Sequence, residues 1–339
     1  MAGVVVAHPD QVKLTAASLV KTDQRATFAL ARLLAANLVP AVWVPPVAVR
    51  ELRALIAPRQ RLVAPQPAAQ NRLPSLLHRP HIVPPAGKLF SAAHRTWWQN
   101  LALDSSQKLR LGQDLASLDP LAPRSDEVEV ELARQRVTAA WADQGPWLTH
   151  LPGLGLLRAL TRLSASGDIQ RCPTAKKLVG YAGRGARIPA CGQTHRAGGS
   201  TKQGRRELRL ARVEAAWIAV QTDPHWQARC EQLTARLERQ QASVAIARKL
   251  LVGVWHGLTA QVADRQAAAD KVAGKLRVWS WDRDDDRRGG LKTRQFSRYH
   301  LLRLGLGHDL RHIEPGGAKR LIAPAAEVLA LRPELQPAT

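Results

Sequence analysis

Between Leu178 and Arg209 the chain sets Gly183, Gly185, Gly192, Gly198, Gly199 and Gly204 among a run of cations that includes Arg184, Arg187, His195, Arg196, Lys202, Arg205, Arg206 and Arg209. A long regular element does not suit this pattern, because glycine at such density weakens helix and strand alike. The glycines permit a tight, irregular path. Glycine lets the main chain approach a ligand closely and present its N–H groups, and the helix beginning near Gln203 can turn its positive dipole end toward an anion. Backbone phosphates fit that combination; an ordinary solvated basic loop is the plainer alternative.

Charge favours the first. Lys and Arg number 50 against 27 Asp and Glu, a formal charge of +23 over 339 residues. Such an excess is the electrostatic footprint of a protein that meets nucleic acid. An anionic membrane surface or an Arg-rich genome composition would also raise it, but neither removes the excess over acid. No apolar run reaches the ~20 residues needed to span a bilayer, and no charged-then-apolar leader precedes Val4, so no membrane association is expected. Cys172, Cys191 and Cys230 are odd in number and lack CxxC spacing, which argues against disulfides or structural zinc and fits a cytoplasmic protein.

In chain order, Val4-Val-Val-Ala-His-Pro9 reads as a short buried strand closed by proline, and Val42-Trp-Val44 ahead of Pro45 and Pro46 as another. Thr22 or Asp23 caps a helix through Phe28 and Leu34, and Val47 to Ile56 is helical. From Arg59 to about Gln144 the periodicity predicts long helices: Leu101 to Leu118 repeats leucine at spacings of three and four, and Glu127 to Trp141 is charged and amphipathic. Leu62, Leu73, Leu76 and Leu77 are compatible with a coiled-coil seam or with ordinary helix packing. Leu151-Pro-Gly-Leu-Gly155 leading into Leu160 has the form of a helix, a tight turn and a second helix. Such a turn, at Pro152, Gly153 and Gly155, offers free N–H groups to a DNA phosphate, although Pro-Gly turns also join plain helical hairpins. Arg206 to Thr222, Pro224 to Arg239 and Ala242 to Leu258 are amphipathic helices, with Trp217, Trp226 and Trp255 between them.

Taken together these pieces resemble the DEDD transposases of bacterial insertion sequences, the RNA-guided IS-one-ten group. The resemblance rests on Val4-Val-Val-Ala-His-Pro9, Lys21-Thr-Asp23, Val42-Trp-Val-Pro-Pro46 with Arg50-Glu-Leu-Arg53 and Arg59-Gln-Arg-Leu-Val63, Leu151-Pro-Gly-Leu-Gly155, and Lys202-Gln-Gly-Arg-Arg-Glu-Leu-Arg209 with Val213-Glu-Ala-Ala-Trp217 and Ala245-Ile-Ala-Arg-Lys-Leu-Leu251. It implies a mixed, mainly α fold: a partial RNase H/RuvC-like α/β domain over 1–58, a helical, coiled-coil-like connector over 59–145, a helical transposase domain with the hairpin turn over 146–260, and a linker with a basic tail over 261–339.

The resemblance further implies carboxylates holding Mg²⁺, an all-oxygen site suited to phosphodiester cleavage. The family's Lys-Thr-Asp-x-x-Asp survives only as Asp23, since Ala26 occupies the second position. The other acids belong on strands ahead of Val4, so the resemblance implies a chain truncated at its start. The family's nucleophilic serine corresponds to Cys191, where a thiolate lowered by Arg187, His195 and Arg196 is one reading and an inert substitute the other. Arg187, Lys202, Arg205, Arg206 and Arg209 are expected to hold phosphates of DNA and of a guide RNA, in a homo-oligomer, dimeric or tetrameric, implied by resemblance alone.

Trp279 to Gly290 reads as a charged linker whose Asp282, Asp284, Asp285 and Asp286 are neutralised by interleaved arginines rather than set for calcium. His308 to Ile313 reads as a strand at an edge of the front domain, and the residues after Pro315 as a weakly ordered end. The function classes left open are a transposase impaired by its lost acids, a non-catalytic nucleic-acid-binding remnant, and a basic structural protein that would explain the charge but not the ordered motifs.

Overall fold

A computed structural model describes residues 4–15, 22–78, 81–87, 89–136, 138, 140–183, 190–191, 194–195, 204, 206–281, 288–314 and 317–335. The chain separates into two compact units, Met1–Arg50 and Glu51–Thr339.

The first unit holds α1 (Pro9–Thr15) and α2 (Asp23–Ala35). The strands expected at Val4 and Val42 are corrected to extended segments that meet in one antiparallel bridge, Ala7 with Ala41. Val42 N–H donates to Val6 O and His8 N–H to Pro40 O, and the pairing goes no further. Pro9, Pro40, Pro45 and Pro46 explain the stop, because proline brings no N–H to a ladder. Thr22 caps α2 by accepting from Arg25 N–H at 3.3 Å, which makes Asp23 the first helical residue. No residue of α2 is buried, and Phe28 is 64% exposed.

α3 (Val47–Val63), most of which belongs to the second unit, runs on through Pro58 and ends beside α4 (Pro65–Arg72) and α5 (Ser75–His78). Leu73, Leu76 and Leu77 do not form a coiled-coil seam. They converge on Trp98 of α6 (Arg95–Gln99), on Leu101 and Leu103, and on Leu111 and Leu115 of α7 (Ser105–Leu118). The helices are simply too short for a sustained heptad, with four residues in α5 and five in α6. The predicted helix over Glu127 to Trp141 is α8 (Leu121–Gln135), tied to α3 by Arg59 and Glu129 at 2.8 Å.

The centre of the unit is a helical bundle: α9 (Pro146–Thr149), α10 (Leu156–Ser166), α11 (Ala175–Tyr181), α12 (Arg206–Thr222), α13 (Pro224–Thr234) and α14 (Arg239–Thr259). Ile246, Ala247, Leu250, Leu251 and Val254 give α14 an apolar side that is almost wholly buried, as expected for the innermost helix. A two-residue hairpin, β1 (Ala190–Cys191) with β2 (Thr194–His195), lies between α11 and α12. Cys172 and Cys230 are buried free thiols.

The segment after Gln261 departs most from expectation. Ala269–Trp281 is helical (α15) and pairs with α16 (Thr293–Arg303). Trp279, expected in a linker, is in a core with Val272, Leu276, Leu291, Phe296 and Leu301 that also takes in Trp147 of α9. His312–Ile313 (β3) pairs antiparallel with Arg320–Leu321 (β4), so this strand belongs to a local hairpin rather than to the front domain. Beyond Pro315, α17 (Ala325–Leu331) buries Val328 completely, which corrects the expected loose end. Arg298, 2% exposed, donates to the carbonyls of Ala323, Gly307 and Leu310 and so pins the surrounding loops.

Candidate nucleic-acid interface

The turn from Leu151 to Gly155 is fixed from within. Leu151 and Leu154 are fully buried, whereas Pro152 and Gly155 keep part of their surface. Gly153 has φ +70°, and a Cβ there would sit 2.2 Å from Ala215 O of α12. Glycine is therefore required twice at this position, once by the left-handed backbone and once by the approach of α12. Gly155 is different. It is the N-cap of α10 in extended conformation, with no side-chain cap, and a Cβ added to it would meet nothing within 4 Å. The first N–H groups of α10 thus lack an internal side-chain acceptor, the condition under which a helix start accepts an anion. Arg158, one turn into α10, faces Glu214 of α12 at 3.6 Å.

The glycine-rich stretch leaves and re-enters the bundle at one point. Gly183, after α11, has φ +69° and Gly204 φ +116°. A Cβ on Gly204 would meet Tyr181 O at 2.3 Å and Gly183 N at 3.0 Å, so the two ends are in contact. Arginines close this neck. Arg209 Nη1 donates to Gly204 O at 2.6 Å, and buried Arg212 donates to Ala182 O at 3.0 Å and to Leu208 O at 2.8 Å. Arg209, expected to be a phosphate ligand, thus commits one nitrogen to holding the loop. Arg206 is the first residue of α12. Cys191 is paired by its backbone with Thr194 in the β1–β2 hairpin. Arg187, Lys202 and Arg205 lie outside the described residues.

Three arginines hold structural positions that the sequence motifs do not assign. Arg53 of α3 donates to Ser164 O at 2.7 Å and Ala165 O at 3.3 Å, placing a cation at the negative end of α10. Arg162 and Arg212 are buried in the α10–α12 contact, and Arg162 Nη2 reaches Ala211 O at 3.4 Å. Burial first, then the charges of Arg212 and Arg158, push Arg162 down to about 9. The only advance signal was their place on otherwise apolar helix faces. His150, just before the turn, is pushed down to about 4, chiefly by burial.

Asp23 stands exposed at the start of α2, followed by exposed Ala26. Among the described residues no three His, Cys, Asp or Glu side chains gather in a way that could hold a metal. The described residues thus do not assemble the Mg²⁺ site that the resemblance implies around Asp23. Among the described residues no helix is long and apolar enough to cross a membrane.

The elements just described, from α9 through the turn, the neck and most of α13, coincide with a recognisable domain. Residues 146–231 match the transposase IS116/IS110/IS902 family. A relative from Sinorhizobium fredii, the candidate transposase y4qE, is 25% identical over 213 residues, covering 63% of this chain and 52% of that protein. The chain therefore spans about half the length of the curated relative it matches. The matched stretch thus contains both the anchored turn and the Gly183–Gly204 neck.

Proposed function

We propose that this chain is a DNA-transposition protein of an insertion sequence, in which the domain beginning at α9 holds DNA and a guide RNA by their backbones. The match of residues 146–231 to a transposase family carries the reading. The uncapped start of α10 at Gly155 offers N–H donors to one phosphate, and the basic loop rising from the Gly183–Gly204 neck, with Arg187, Lys202, Arg205 and Arg206, supplies the cations for others. These contacts read backbone rather than bases, which leaves the choice of sequence to the RNA. We further propose that the chain works as a homo-oligomer, a dimer or tetramer, in line with the family resemblance.

A second reading has its own observations. Ala26 stands where the resemblance requires an acid, and Cys191 where it requires serine. On this reading the chain is a non-catalytic remnant that binds nucleic acid without cutting it.

A strand-transfer assay separates the two. The purified chain is incubated with DNA carrying the element's ends, the matching RNA and Mg²⁺, and both bound and joined DNA are measured. Joined products establish the transposase; binding without joining establishes the remnant. Failure to bind DNA or RNA above a basic control protein overturns both.

A further inference from the structure

Behind the turn, α13, α14 and the connection from Ala260 to Gln266 enclose a cleft of about 930 Å³. Its walls carry His225 and Arg229 from α13, Lys249 and His256 from α14, and Arg265 from the connection. Asp264 is the one acid on its lining, and its carboxylate accepts from Gln266 N–H at 2.9 Å. Among the described residues no carboxylate forms an ion pair with Arg229, Lys249 or Arg265. Unneutralised cations gathered in a concavity focus the field and draw in anions.

The floor is polar as well. His150 is 3% and Trp226 7% exposed, and both line the cleft. Burial pushes His150 down to about 4, with the nearby charge of Asp264 acting in the opposite sense. At the rim His225 and His256 are exposed rings, and His225 is held edge-on to Trp226 at 5.4 Å. The turn packs on α14 at Gly253, a residue of the cleft lining. Gly253 of α14 lets Leu151 approach to 3.0 Å of its Cβ position, and Gly257 lets His150 approach to 2.9 Å.

We propose that this cleft seats an unpaired stretch of nucleic acid, its phosphates on Arg229, Lys249 and Arg265 and its bases against His225 and His256. A basic groove combined with rings is how single strands are held, because only unpaired bases expose faces for stacking. A duplex offers phosphates but no such faces. The proposal rests on the reading of the chain as a nucleic-acid-binding transposase relative and holds whether or not the chain cuts.

The test uses the full chain and fluorescence anisotropy with one mixed-sequence oligonucleotide, prepared as single-stranded DNA, as single-stranded RNA and as DNA duplex, across a salt series. The double variant Lys249→Gln/Arg265→Gln should weaken binding to at least one single strand about tenfold and lower its salt slope by about 1.4, two phosphates at roughly 0.7 each. His256→Ala should weaken the same strand at least severalfold by removing a stacking face. Duplex affinity should change less than twofold, and Arg205→Ala in the basic loop should lower both. Lys249, His256 and Arg265 are exposed, so unchanged melting temperatures confirm that the cleft variants are folded. If single-strand affinity and slope are unchanged in the double variant while Arg205→Ala still weakens binding, the cleft assignment is overturned and the proposed function stands. Equal losses for single strand and duplex would overturn the single-strand assignment. If the unaltered chain binds no nucleic acid, the proposed function itself fails.

Discussion

Gly153 and Gly155 belong to one turn motif, yet they do different work. The first is needed by packing: its positive φ and the 2.2 Å approach of Ala215 O leave no room for a methyl group. The second is open and has an ordinary φ of −80°. Gly153→Ala should therefore lower stability by about 3 kcal/mol and Gly155→Ala by less than about 1 kcal/mol, read as shifts in the urea midpoint. Gly155→Asp should hold or raise stability, because it caps α10 with a negative charge, while weakening nucleic-acid binding by occupying the same N–H groups. Full binding by a stable Gly155→Asp protein would show that the start of α10 faces no phosphate. Glycine spacing alone could not distinguish these roles, since the distinction lies in a helix about sixty residues away in sequence.

Among the elements, α15 contributes a contact that nothing in its own sequence announces. Lys275 Nζ donates to Thr149 O at 2.9 Å and Leu151 O at 2.8 Å, at the end of α9 and the beginning of the turn. Lysine at a helix C-terminus satisfies orphan carbonyls and answers the dipole there. Burial, then the nearby charge of Lys271, pushes Lys275 down to about 8, with Asp223 acting in the opposite sense. The sign follows from proton binding. Below about pH 8 both folded and unfolded chains carry the proton and the burial cost is fully present; between about 8 and 10.5 the unfolded chain binds more, so the Lys275 contribution to stability rises with pH. Lys275→Met should destabilise by about 2 kcal/mol near neutral pH by leaving two carbonyls without a donor. It should also remove part of the rise in urea midpoint between about pH 7.5 and about pH 10. Parallel pH curves for the two proteins would refute the assignment. The helix itself is hard to read from sequence because Ala269 to Trp281 runs into a charge cluster; what makes it helix is a core shared with Trp147 and Phe296, neither of them local.

For the whole molecule the dominant quantity is a charge of +23. Affinity for any nucleic acid should fall linearly on logarithmic axes as salt rises, and Arg205→Ala or Arg206→Ala should reduce the duplex slope by about 0.9 for each phosphate no longer neutralised. An unchanged slope in either variant would place that residue outside the interface. Composition and short-range pattern carried the broad conclusions: a mainly helical chain, a turn leading into α10, a helix on either side of the glycine-rich basic stretch, and motifs that point to a transposase family. Those features depend on local backbone preference and on residue type, which a sequence states directly. Tertiary structure alone decided that the segment from Val4 pairs through a single bridge at Ala7 rather than as a strand, that Leu73, Leu76 and Leu77 gather around Trp98, that Arg209 and Arg212 close the neck, and that cations from α13, α14 and the following connection, without an ion pair to a described carboxylate, line one cleft. In each case the deciding partner lies on another element, and which cations remain free for a ligand depends on which carbonyls and carboxylates the fold has already brought to the others.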